Sequence, residues 1–166
     1  DGGVTTPIGT AEDQINGMAL QADGRIVVAG ASCNGANYDF ALARYNTDGS
    51  LDLTFDSDGK RTDPIGTSSD VINSLARQAD GKIVVAGYST IGSGNLDFAL
   101  ARYNSNGTLD GTFGTGGEVT TAISTSYDVI NRTVLQADGR IVVAAASNNG
   151  TDYDFALTRY TTIITG

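Results

Sequence analysis

Oxygen-bearing side chains stand at alternate positions along Asn46, Asp48, Ser50 and Asp52, with Gly49 for the bend. That spacing can wrap a hard cation such as Ca²⁺. The alternation is weaker at Asn104, Asn106, Thr108 and Asp110, and a third equivalent stretch lacks it. The same residues also make an Asx-type turn, in which Asp and Asn bond local backbone N–H groups. The turn is the favoured reading, because few charges are present and no distant glutamate completes an EF-hand-like loop.

Amides and hydroxyls gather in a second set of stretches. Residues 32–38 carry Asn34, Asn37 and Tyr38, residues 89–96 carry Asn95, and residues 147–153 carry Asn149, Asp152 and Tyr153. Amides suit sugar hydroxyls and a tyrosine ring suits an apolar sugar face, so three such loops on one side would make a glycan site. A solvated loop that drifts for want of constraint has the same composition and is the favoured reading.

An acid and a base recur as Asp39 with Arg44, Asp97 with Arg102 and Asp154 with Arg159. A role present in every copy points to structure, with the planar guanidinium bonding carboxylates or carbonyls of a neighbouring unit. Cys33 is the single cysteine, and there is no histidine to activate it. Two carboxylates could serve a glycosidase. Glu12, Asp63 and Glu118 differ between copies, but nothing in the sequence brings them together.

Composition narrows the classes. The formal charge is −9 and the pI about 4.2, so phosphate backbones and anionic membrane surfaces are disfavoured partners. One cysteine allows no internal disulfide, and no apolar run has the length of a membrane span. Asp1-Gly2-Gly3 is not a signal peptide, so export was signalled by residues already removed or the chain is a piece of a longer one.

The elements that must position these residues form a repeat. The stretch from Gln21 to Gly30, QADGRIVVAG, returns from Gln78 as QADGKIVVAG and from Gln136 as QADGRIVVAA. Asp23 to Asp80 is 57 positions and Asp80 to Asp138 is 58. A fixed period of this size means a repeat architecture. Residues 1–56, 57–114 and 115–166 are three copies of one unit within a single domain, 1–166.

Each unit reads as four short strands. In the first copy they fall near 4–8, 14–20, 25–30 and 40–45, with Asp23-Gly24 as a two-residue type I′ turn. The run Ile26-Val27-Val28-Ala29 does not alternate, so both its faces should be buried. The fourth strand alternates Phe40 and Leu42 against Ala41 and Ala43, one large side and one small. Four antiparallel strands with doubly buried members describe a β-propeller blade.

The ordered motifs DG[RK]IVVAG, DFALARYN and the turn DGSLDLTF at residues 48–55 resemble the bacterial delta-sixty repeat over nearly the whole chain. Residues 161–166 depart from it. The resemblance implies propeller blades in a secreted or cell-surface bacterial protein, and it carries no catalytic or binding residues across. Propellers close with about four to eight blades, so three are too few. Either a second copy or further blades of a longer chain complete the ring, or the pseudo-threefold fold is a β-trefoil or β-prism. The expectation is an all-β, non-enzymatic binding or assembly module without a required cofactor, and the runner-up is a lectin-like module.

Overall fold

The computed structural model describes residues 2–92 and 94–161, and every regular element among them is a strand. The first sheet holds β1 (Asp13–Leu20), β2 (Ile26–Cys33), β3 (Tyr38–Tyr45) and β4 (Lys60–Asp63) in that order. The second holds β5 (Asp70–Arg77), β6 (Ile83–Ile91), β7 (Asn95–Tyr103) and β8 (Glu118–Thr121). The third holds β9 (Asp128–Leu135), β10 (Ile141–Asn148) and β11 (Tyr153–Tyr160). All neighbouring strands are antiparallel.

This corrects the grouping of strands. The segment at the head of each repeat is the last strand of the sheet before it: Lys60–Asp63 pairs with β3, and Glu118–Thr121 pairs with β7. Residues 4–8, the copy with no sheet before it, form no strand. Residues 162–166, most of the divergent tail, lie outside the described residues.

The Asp-Gly turn also differs from expectation. Gln21 N–H bonds Arg25 O at 2.8 Å, and Gly24 N–H bonds Gln21 O at 3.0 Å. Gly24 alone of the two central residues takes positive φ, at 85°. Asp23 stays in ordinary backbone space because its carboxylate accepts the Arg25 N–H at 3.1 Å. The turn is therefore a five-residue connection with a left-handed glycine, and not type I′. It recurs at Gly81 and Gly139.

The sheets stack face to face. The large face of one, with Val27, Ala29, Phe40 and Leu42, packs on the small face of the next, with Ile83, Val85, Ala99 and Ala101. The pattern repeats with Val84, Ala86, Phe98 and Leu100 against Ile141, Val143 and Ala145. Strand alternation makes this possible, because Phe and Leu fall on one side of β3 and β7 and Ala on the other. In the middle sheet both faces of the Ile83-Val84-Val85-Ala86 run are buried. Three stacked sheets leave two faces without a neighbouring sheet: the large face of the third sheet is open, and on the small face of the first Ala41 and Ala43 are buried only where residues 4–8 pass over them.

The inner edge belongs to β1, β5 and β9. Each carries a register shift after its isoleucine, which throws an asparagine out of the ladder. Asn16 Nδ2 donates to Ile72 O at 2.9 Å, and Asn73 Nδ2 donates to Ile130 O at 3.0 Å. Ser74 Oγ accepts Thr133 N–H at 2.9 Å.

Copies of one position in different sheets test the account. Leu100→Ala should cost about 2–5 kcal/mol of unfolding free energy, because it empties a filled core. Leu157→Ala, the same position in the third sheet, should cost the isolated chain less than about 0.5 kcal/mol in urea unfolding. Equal losses would contradict the stacking order.

Candidate functional site

The turn candidate closes on itself. Asp48 Oδ1 accepts the Ser50 N–H at 2.9 Å and the Ser50 hydroxyl at 2.6 Å. Asn46 Nδ2 donates to Ser50 Oγ at 3.0 Å. Asp52 turns inward to meet Arg44 Nε at 2.7 Å and Thr54 Oγ1 at 2.7 Å. The four side chains make an Asx turn with a buried ion pair behind it, and the guanidinium occupies the place where a cation would compete for Asp52.

Arg44 bonds a carbonyl of the neighbouring repeat, as its recurrence in every copy implied, and Asp39 and Arg44 are not bonded to each other. Five residues apart on one strand, the two point to opposite faces. Asp39 instead accepts from Asn34 Nδ2 at 2.9 Å, inside the hairpin loop. Arg44 bonds Asp52, Thr54 and the carbonyl of Ser105 in the next repeat, and its guanidinium lies 4.9 Å from the Phe55 ring centroid. Arg102 repeats this with Asp110 at 2.7 Å, Thr112 at 3.0 Å and the Phe113 ring. Burial opposes ionisation of Asp110, but Lys82, Thr112 and Arg102 outweigh it and hold the carboxyl well below its ordinary range.

The loop candidates spend their polar groups on shape. Asn34 and Asn149 accept two backbone N–H groups each within their own loops, and Asn149 also bonds Asp152 and Asp154 at 2.9 Å. Asn37 Nδ2 reaches Ser68 O and Asn95 Nδ2 reaches Thr125 O, each at 3.0 Å, tying a loop to the following repeat. Tyr38 donates its hydroxyl to Glu12 at 2.8 Å, and Tyr153 is exposed. Of the carboxylates weighed for glycosidase chemistry, Asp63 is buried against Arg61 and accepts the Tyr103 hydroxyl at 2.9 Å. Burial, with Asp63 and Asp70 nearby, raises Glu118 above its ordinary 4.5.

What the sequence reading missed lies on the two uncovered faces. On the third sheet Phe155 is 102% exposed and Leu157 76%, while Phe40, Leu42, Phe98 and Leu100 at the same positions are at most 1% exposed. Val134, on β9 across β10, is 60% exposed on the same face. On the first sheet Ile15, Met18 and Leu20 are exposed, whereas Ile72 and Ile130, the copies of Ile15, are fully buried. A cavity of about 250 Å³ opens on that sheet between residues 4–8 and the face bearing Val28, Ala41, Ala43 and Tyr45. Its lining matches the surfaces that receive Phe40 and Leu42 on the second sheet, Ile8 standing for Ile65. One end of the stack presents the plug and the other the socket.

Residues 21–55, 78–113 and 136–162 match the family described as domain of unknown function (DUF5122) beta-propeller. The chain belongs to that family. No curated protein matches it. The first two matched stretches of the DUF5122 beta-propeller chain run from the Asp-Gly turn to Phe55 and Phe113, so they hold the Arg–Asp–Phe node. Asn16, Asn73 and Asn131 on the inner strands fall outside them. A trefoil or prism is set aside, since the three sheets are propeller-type blades that do not close on themselves.

The raised Glu118 gives a pH test. Its folded-state value lies above the unfolded 4.5, so the stability it contributes is present at acid pH and lost as pH rises through the folded value. Glu118→Gln should raise the melting temperature near neutrality, and the gain should vanish below pH 4.5. A gain that persists unchanged in acid would contradict this.

Proposed function

We propose that the chain is a non-enzymatic binding and assembly module, and that a second copy completes a six-bladed propeller. The observation that carries this is the plug and socket: Phe155 and Leu157 exposed at one end, and a cavity of about 250 Å³ open at the other. Burying each of those side chains is worth about 1.5–3 kcal/mol over leaving it in water. Monomeric proteins rarely keep two such patches open. Two copies related by a two-fold axis would join the third sheet of each to the first sheet of the other, closing the ring with two equal interfaces. Six blades fall within the usual range for closure.

A placement outside the cell or on its surface is supported by the repeat resemblance alone. The glycan reading has less support, because the loop amides are already bonded within the chain. The glycosidase reading has none from geometry, with Glu12 and Asp63 engaged by Tyr38 and by Arg61 and Tyr103.

Light scattering decides the assembly. The purified chain should have twice the 17.1 kDa mass of one copy. Phe155→Asp, fully exposed in the single chain, should give the mass of one copy without lowering the single chain's melting temperature. A native chain that stays single at every concentration would overturn the proposal.

A further inference from the structure

We infer that the copies exchange a strand: residues 4–6 of one copy form the fourth strand of the other copy's third sheet. The inference rests on the assembly reading. The third sheet has order β11-β10-β9 among the described residues, so β11 has no partner on the side where β3 carries β4 and β7 carries β8. The segment that supplies that strand elsewhere is the head of the following repeat, and in a closed ring the repeat after the third is the first of the second copy.

The segment is already held at the right root. Ile8 N–H bonds Asp13 Oδ2 at 2.8 Å, as Ile65 bonds Asp70 and Ile123 bonds Asp128 at 2.8 Å. From the same anchor, Lys60–Asp63 and Glu118–Thr121 run along the preceding sheet. Residues 4–6 instead pass over the cavity on the first sheet, the space that a preceding sheet would occupy.

Two internal pairings set the register. Phe40 lies opposite Asp63 and Leu42 opposite Arg61, and Phe98 lies opposite Thr121 and Leu100 opposite Val119. Carried to the third sheet, Phe155 stands opposite Thr6, Ala156 opposite Thr5 and Leu157 opposite Val4 of the second copy. Two further contacts follow. Thr6 takes the place of Asp63 and Thr121, which accept the hydroxyls of Tyr103 and Tyr160, and so comes to Tyr45. Asn131 takes the place of Asn16 and Asn73, so its amide reaches the Ile15 carbonyl of the second copy.

Disulfide trapping tests the register, in a Cys33→Ser background that removes the native thiol. Directly opposed residues have Cα atoms about 4.5–5.5 Å apart, within disulfide reach. A shift of two residues adds about 7 Å along the strand and puts thiols out of reach. Thr5→Cys with Ala156→Cys should therefore oxidise to a covalent dimer, and Thr5→Cys with Thr158→Cys should not. Thr5 is exposed and Ala156 only half-buried, so both variants should keep the parent's melting temperature. A chain with the mass of two copies that cross-links neither pair, or both alike, overturns the strand exchange and leaves the stacking of faces standing. A chain with the mass of one copy overturns both.

Discussion

Every sheet in this chain has a bulky apolar face and a flat apolar face, and neither is tolerable in water. Phe40 and Leu42 project from one side of β3 while Ala41 and Ala43 leave the other side low. A neighbour with the opposite face in contact is the only arrangement that buries both at native density. That requirement sets the stacking direction, makes each contact head-to-tail, and guarantees that a finite stack ends in two unlike surfaces. Those surfaces are visible as Phe155 and Leu157 on the third sheet and as the cavity under residues 4–8 on the first.

Polar devices hold the register that apolar contact leaves loose. The buried Arg44–Asp52 and Arg102–Asp110 pairs pin the turns after β3 and β7 to those strands. Removing one partner would strand the other in a dry place, which is why both are braced by threonine hydroxyls and aromatic rings. At the inner edge the bulged asparagines do the corresponding work between sheets. The bulges at Asn16 and Asn73 free a side chain from its own ladder and so convert a local irregularity into an inter-blade bond.

Much of this was legible in the residues. The 57-residue period gave the repeat, and the alternation of Phe and Leu with Ala in β3 gave the two unlike faces. The strand grouping was not legible, because the head segment of a repeat reads the same whether it pairs forward or back. The arginine's structural bond to the next unit was legible from its recurrence, and Arg44 makes it to Ser105 O, whereas its carboxylate partner Asp52 lies in the following turn and not on the strand with Asp39. The polar loops looked like a site because Asn34 and Asn149 are rich in hydrogen-bonding groups. Those groups instead fold the loops, a use that composition alone does not separate from binding. Asn16 and Asn73 carried a weak signal, an amide recurring directly after an apolar inner-strand residue, that matters only once the bulge is known. The open ends followed from the count of three units, but which residues they exposed required the sheet faces.

The central claim is that β11 is an unfinished surface which a second copy covers. Hydrogen–deuterium exchange at β11 as a function of protein concentration measures this directly. The account predicts that the alternate amides of Tyr153–Tyr160 that face away from β10 exchange quickly at high dilution and slow with rising concentration toward the protection of their counterparts in Asn95–Tyr103, while the amides bonded to β10 stay slower throughout. Exchange at the outward amides that stays fast and does not respond to concentration would contradict it.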